Sequence, residues 1–291
     1  MTFEPGDILL AAADVDDSNI DLRNHRGEGR ILHLDADFSA KGEIRTGIEG
    51  LLVGLARNAS TGVLYGADPT AKKVVKVTPN GAVSVFEELS GQSFGTVAIR
   101  EDGAMFLGLH SHRGSKPNDP EGPNKLVQIS ADGAILDSFD VRTDGGHTGW
   151  HGVTSIAFRP GTSKVYTLSE GGRSVFGYDL QARRPISPLI ELEKHGDDRA
   201  FGLARHSDGR YFVAVGHSIL VLNVDGSIIA TWPCASERGW TRVTPGVDPG
   251  VLYVSNFLEG LLERRDAQTG TVLAAHDINR KCSLCGLVEI P

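Results

Sequence analysis

The sequence predicts an all-β fold, a six-bladed β-propeller with four-stranded blades, and three observations predict it. A unit returns six times: Gly-apolar-Ala, a short turn, a strand ending in a polar residue, another strand, an Asp-Gly type turn and a last strand. Its clearest copies begin at Gly54-Leu55-Ala56 and Gly202-Leu203-Ala204, with looser ones at Thr96, Ser155 and Arg242. Spread over 291 residues, the period is about 48, near that of a four-stranded propeller blade. The third observation is the sixth copy, which is split between the two ends of the chain. Residues 1–291 therefore read as one closed domain.

Each blade is a meander of strands a to d, running outwards from a central channel. Strand b is the best marked, short and rich in β-branched and aromatic residues, at Asp7–Ala13, Val63–Ala67, Ala104–Leu109, Lys164–Ser169, Tyr211–Val215 and Val251–Ser255. Strand c follows at Arg30–Leu34, Lys73–Thr78, Lys125–Ser130, Ser174–Asp179, Ile219–Asn223 and Leu261–Arg265. Asn80-Gly81, Asp132-Gly133 and Asp225-Gly226 supply the positive φ angles of tight c–d hairpins. The segment Cys285–Ile290 matches an innermost strand a, and the N-terminal segment matches the b, c and d strands of the same blade. Pairing them closes the ring and removes its open edge.

Alternating strand direction places the a–b and c–d turns on one face and the b–c and d–a connections on the other. The second face receives the long loops: Asp14–Gly29, His110–Asn124, Val141–Val153, Glu191–Ala200, Pro233–Trp240 and Asp277–Leu284. Long loops on a rigid scaffold are where binding and catalysis gather. The two longest b–c insertions are readable either as a partial lid over the channel mouth or as surface loops.

Composition narrows the function. A formal net charge of −8 argues against nucleic acid or an anionic membrane as partner. No apolar run approaches a membrane span, and the opening MTFEPGDILL lacks a secretory pattern, so a cytoplasmic protein is expected. Of the three cysteines, Cys282 and Cys285 form a lone CxxC, a weak zinc signal, and read as small residues entering the last strand. P-loop, GxGxxG and HExxH motifs are absent, so no nucleotide cofactor is expected; neither is a serine hydrolase of the nucleophile-elbow kind.

The strand ends VLYGAD (63–68), KVYTLSE (164–170) and VLYVSN (251–256) resemble NHL-type propeller repeats. The wider group that the chain resembles includes gluconolactonase-like hydrolases, strictosidine synthase-like proteins and the peptidyl-hydroxyglycine amidating lyase. The hydrolase resemblance implies Glu, Asn and Asp around a divalent metal, the Glu opening an E-G-P motif. This chain has Glu49-Gly50-Leu51 without the proline, and His151, Arg199 or Phe201, Arg242 and Cys282 at the other inner-strand starts. The lyase resemblance implies zinc-binding histidines around the channel instead.

The first polar residue beyond each strand b offers one polar group per blade: Asp14, Asp68, His110, Glu170, His217 and Asn256. Carboxylates and imidazoles converging on a channel mouth suit a metal or an acid–base site. The competing reading is that Asp14, Asp68 and Asn256 merely cap the following turns. His110, His112, His151 and His217 are the candidate metal ligands, a set that favours Zn, Fe or Mn over Ca. Glu170 and Asp68 are candidate bases, and Arg199 and Arg242 candidate anion holders. The expectation is a small-molecule enzyme, a hydrolase or lyase acting on a lactone or ester type of substrate. Its alternatives are a propeller that only binds a protein or small ligand, and a metal-free enzyme using His151 or His217 alone.

Overall fold

Six antiparallel four-stranded sheets stand around a common axis; in five the first strand in sequence is innermost, and in the one that joins the chain ends the last strand of the chain is. The computed structural model describes residues 2–13, 27–110, 124–144, 152–196 and 199–291. The first blade joins both ends of the chain, ordered β24 (Leu287–Glu289), β1 (Ile8–Ala13), β2 (Glu28–Leu34) and β3 (Ala40–Glu49). The second holds β4 (Gly54–Arg57), β5 (Leu64–Asp68), β6 (Lys73–Val77) and β7 (Val83–Val85). The third holds β8 (Phe94–Ile99), β9 (Met105–Leu109), β10 (Lys125–Ile129) and β11 (Ile135–Asp140). The fourth holds β12 (Ser155–Phe158), β13 (Lys164–Leu168), β14 (Ser174–Asp179) and β15 (Arg184–Glu191). The fifth holds β16 (Gly202–Arg205), β17 (Tyr211–Ala214), β18 (Ser218–Leu222) and β19 (Ile228–Pro233). The sixth holds β20 (Trp240–Pro245), β21 (Val251–Asn256), β22 (Leu261–Asp266) and β23 (Val272–Asp277). Among the described residues no helix is long and apolar enough to cross a membrane.

The expected b and c strands all form, with ends displaced by a residue or two. Ring closure also forms: Ile8 pairs with Glu289, Leu9 with Val288 and Leu10 with Leu287. The question of a lid over the channel lies outside the described residues, because 14–26 and 111–123 fall there.

The core lies between blades. One cluster joins Tyr166 and Leu168 of the fourth blade to Leu203 and Val213 of the fifth. Another joins Leu9 and Ile31 of the first to Leu64 and Val75 of the second. Middle strands are packed on both faces, so β1 is buried at every position, whereas outermost β23 is exposed at five of six. This explains why strand b reads as an unbroken apolar run.

The glycine that opens the clearest repeats has a steric cause. Inner strands converge on the axis, and a Cβ on Gly202 would stand 2.4 Å from the Thr241 carbonyl oxygen of the next blade. A Cβ on Gly54 would stand 2.8 Å from the Thr96 Cα. Both obstacles are backbone and cannot rotate away. Gly202→Ala should therefore destabilise the ring by about 1–3 kcal/mol through overpacking, read as a lower denaturant midpoint. An unchanged midpoint would contradict this account.

Candidate functional site

The starts of the inner strands and the ends of strands b surround a cavity of about 560 Å³ at one mouth of the channel. It opens on the face predicted to carry the long loops. His110, at the end of β9, Glu170, just beyond β13, and Arg242, in β20, all line it. Leu51, Val53, Phe201, Val215, Phe257 and Leu258 supply an apolar wall, and Glu237 and Arg238 stand on the d–a loop at its rim.

Glu170 is partly exposed to the channel. Its carboxylate makes no hydrogen bond or ion pair with any described residue. Burial raises its pKa above the ordinary 4.5, against the pull of the Arg242 cation. Such a group holds its proton more readily than a surface glutamate and is free to pass it on.

Arg242 is held by backbone geometry. Its Nη1 donates to the Thr154 carbonyl, the Ser155 hydroxyl and the Phe201 carbonyl, each at 3.2 Å. These acceptors belong to the inner edges of the fourth and fifth blades, so one guanidinium spans three neighbouring inner strands. Cys285 lies in the same neighbourhood, 4% exposed. Burial, then the nearby Glu170 and Asp68 charges, push its thiol up to about 12, while Arg242 pulls it down. A thiol so held is not a nucleophile at neutral pH. Cys234, Cys282 and Cys285 are all free.

Asp68 has the turn-capping role. Its carboxylate accepts the N–H groups of Thr70 at 3.0 Å and Ala71 at 2.8 Å, and that of Leu51. Burial nevertheless pushes it up to about 6 from 3.8, against those three bonds. The folded chain therefore binds this proton more tightly than the unfolded one, so stability rises as pH falls from about 6 towards 4. Asp68→Asn should remove that gain, up to about 3 kcal/mol. Denaturation of both proteins between pH 7.5 and 4.5 checks it; a constant difference between them would refute it. Asn256 is likewise a cap. Its Oδ1 accepts the Glu259 N–H at 3.0 Å, and its Nδ2 donates to the Ser236 hydroxyl and the Arg238 carbonyl. It thereby fixes the loop that carries Glu237 and Arg238.

Like Asp68, which does not line the cavity, two further candidates fall away from it, His217 and Arg199. His217 is exposed, and its backbone carbonyl accepts the Cys234 N–H. The pairing register gives the reason. Ala67, Leu168 and Ala214 pair with the first residues of β4, β12 and β16. Asp68 is one step beyond, Glu170 two, and His217 three, after Gly216 has turned the chain with φ +87°. Val215 and Gly216 fill the channel position instead. Arg199 points elsewhere too, its Nη1 donating to the Gly171 carbonyl at 3.0 Å, a contact that ties together the approaches to the fourth and fifth blades.

Of the proposed metal ligands, His110 lines the cavity and His217 does not, while His112 and His151 lie outside the described residues, as does Asp14. Among the described residues no group of three or more His, Cys, Asp or Glu is placed to hold a metal ion. At the inner edge of the first blade, Cys285 just precedes the inner strand and pairs with Ala11, Cys282 sits in the preceding turn, and neither lines the cavity.

The chain carries one Gly-x-Ser-x-Gly spacing, Gly91-Gln92-Ser93-Phe94-Gly95, and the fold gives it no elbow. It leads into inner strand β8 with no helix behind it. Ser93 is buried and its hydroxyl donates to the Pro69 carbonyl at 3.0 Å. It lacks the strand-to-helix setting of a nucleophile elbow.

The ring and its channel make this protein a six-bladed β-propeller. No protein-family model matches the chain, and no curated protein matches it. Among solved structures it is similar to a chain of the nidogen/laminin complex, with 14% identity over 97% of each chain and a TM-score of 0.68. It is similar to a protein of unknown function from Bacteroides caccae, with 15% identity over 98% of each and a TM-score of 0.68. It is also similar to a catalytically inactive histidine-to-alanine variant of virginiamycin B lyase from Staphylococcus aureus with quinupristin. There the identity is 12%, over 98% of this chain and 90% of the lyase, with a TM-score of 0.61. These likenesses carry the fold.

Proposed function

We propose that this propeller is a small-molecule enzyme that cleaves an ester or lactone at the channel mouth, by hydrolysis or elimination. One observation carries the reading: Glu170, a carboxylate without a described partner, faces a cavity whose neighbouring cation is the immobilised Arg242. In hydrolysis, Glu170 takes a proton from water, and the resulting hydroxide adds to the carbonyl. Arg242 steadies the oxyanion, the C–O bond breaks, and the leaving alkoxide receives the proton. In elimination, Glu170 takes the proton from carbon while the C–O bond breaks to give an alkene and a carboxylate. The lyase among the structural relatives is consistent with the second route.

The described part of the loop face supports a small-molecule site over a protein-docking platform. Among the described residues the exposed large hydrophobics, Ile135, Leu136, Val224, Ile229, Val247, Val272 and Leu273, stand at or just beyond the tight turns of the opposite face. A metal-assisted form of the reaction would use His110 with His112 and His151; elemental analysis and chelation decide between the two forms. The primary test is a panel of aryl and alkyl esters and lactones assayed by acid release and by alkene absorbance. Running it in ¹⁸O-labelled water separates the routes, since only hydrolysis places the label in the product. No turnover above that of Glu170→Gln across the panel would overturn the proposal.

A further inference from the structure

We infer that the cavity binds a carboxylate attached to an apolar body, and that the free edge of Arg242 is the carboxylate-recognising group. The inference goes beyond the proposed reaction because it concerns binding and requires no turnover. A guanidinium carries five N–H donors in a rigid fork. Nη1 has two of them and faces three acceptors, the Thr154 carbonyl, the Ser155 hydroxyl and the Phe201 carbonyl, so it is fully engaged. The Nε–H and Nη2–H donors make no hydrogen bond to a described residue, and Arg242 lines the cavity. Nε–H and the adjacent Nη2–H are parallel, the edge that a carboxylate meets with both oxygens.

The other charged groups at the cavity do not cancel this edge. Glu170 makes no hydrogen bond or ion pair with Arg242, so its carboxylate does not occupy this edge. At the rim, Glu237 and Arg238 balance each other in formal charge, and the Arg238 side chain makes no hydrogen bond to a described residue. His110 is the remaining titratable side chain on the described lining. Around these polar groups, Leu51, Val53, Phe201, Val215, Phe257 and Leu258 offer a largely apolar wall. Such a cavity desolvates a hydrocarbon body while one immobile fork orients its acid group. Immobilisation matters: the fork is ordered before the ligand arrives, so little rotamer entropy is lost on binding.

The test compares 4-phenylbutyrate with 4-phenylbutyramide, which share a body and differ in the charged group, by calorimetric or NMR titration at low salt. The acid should bind about tenfold or more tightly than the amide. Arg242→Gln should abolish that preference. Because the Arg242 bonds also join inner strands, melting curves must accompany the titration. Arg242→Lys provides the second variant, keeping the charge but losing the parallel edge, and should lower the preference at least about threefold. Glu170→Gln should keep it, which separates failure of this inference from failure of the reaction. Equal affinities for acid and amide, a preference that persists in the folded Arg242 variants, or no saturable binding of either probe would overturn the inference.

Discussion

Glu170→Gln should leave the ring folded and lower turnover by about 10²–10⁴-fold, the usual contribution of a positioned acid–base group. The substitution keeps the shape of the side chain and removes its ability to take a proton. No described donor relies on the Glu170 carboxylate, so no hydrogen-bond network is lost with it. Burial disfavours its charge, so neutral glutamine should melt at the same temperature as the parent or above it. Lost activity with undiminished stability is the signature of a functional group rather than a structural one. The pH profile gives a second reading. If Glu170 must be ionised to act as base, activity rises with pH through a pKa above the 4.5 of an ordinary glutamate, and Glu170→Gln flattens that limb. Retention of activity within about threefold of the parent would remove Glu170 from the reaction.

The blades were legible because their physics is local. Asp225-Gly226 forms a hairpin wherever it occurs between strands, and Ser174–Asp179 is apolar enough to be a buried strand in almost any context. The split sixth blade was legible for the same reason, since Cys285–Ile290 has the pattern of an inner strand with no partner beside it in sequence. The site was legible only in part. His110 and Glu170, chosen by position along strand b, and Arg242, chosen by position at the start of strand a, line the cavity. What position does not reveal is which backbone donors and acceptors lie within reach. Asp68 is engaged by the N–H groups of its own turn, and Arg199 by the Gly171 carbonyl. His217 was misplaced by two residues of register that only the pairing discloses. The apolar wall had no signal of its own, because Phe201 and Phe257 read as ordinary core until the channel is assembled.

That assembly rests on a strand of three residues, so the second large effect is expected at the C-terminus. Removing residues 285–291 should abolish cooperative folding or lower the melting temperature by more than about 10 °C. The lost segment is the innermost strand of the first blade, and it bonds along the length of β1. Gly6 N–H donates to the Ile290 carbonyl, Ile290 N–H to Asp7, Ala11 N–H to Gly286 and Cys285 N–H to Ala11. Leu287 and Ile290 are each 5% exposed, and burying two such side chains contributes about 3–6 kcal/mol. Each exchanged hydrogen bond adds about 0.5–1.5 kcal/mol. Together these approach the whole stability of a typical domain, about 5–15 kcal/mol. The truncation would also leave β1, buried throughout, as an open apolar edge facing the second blade, where Gly286 now packs against Leu55. A synthetic peptide of residues 285–291 should restore part of the transition by adding back the strand. A truncated chain that melts within a few degrees of the parent would mean that the ring does not depend on this closure.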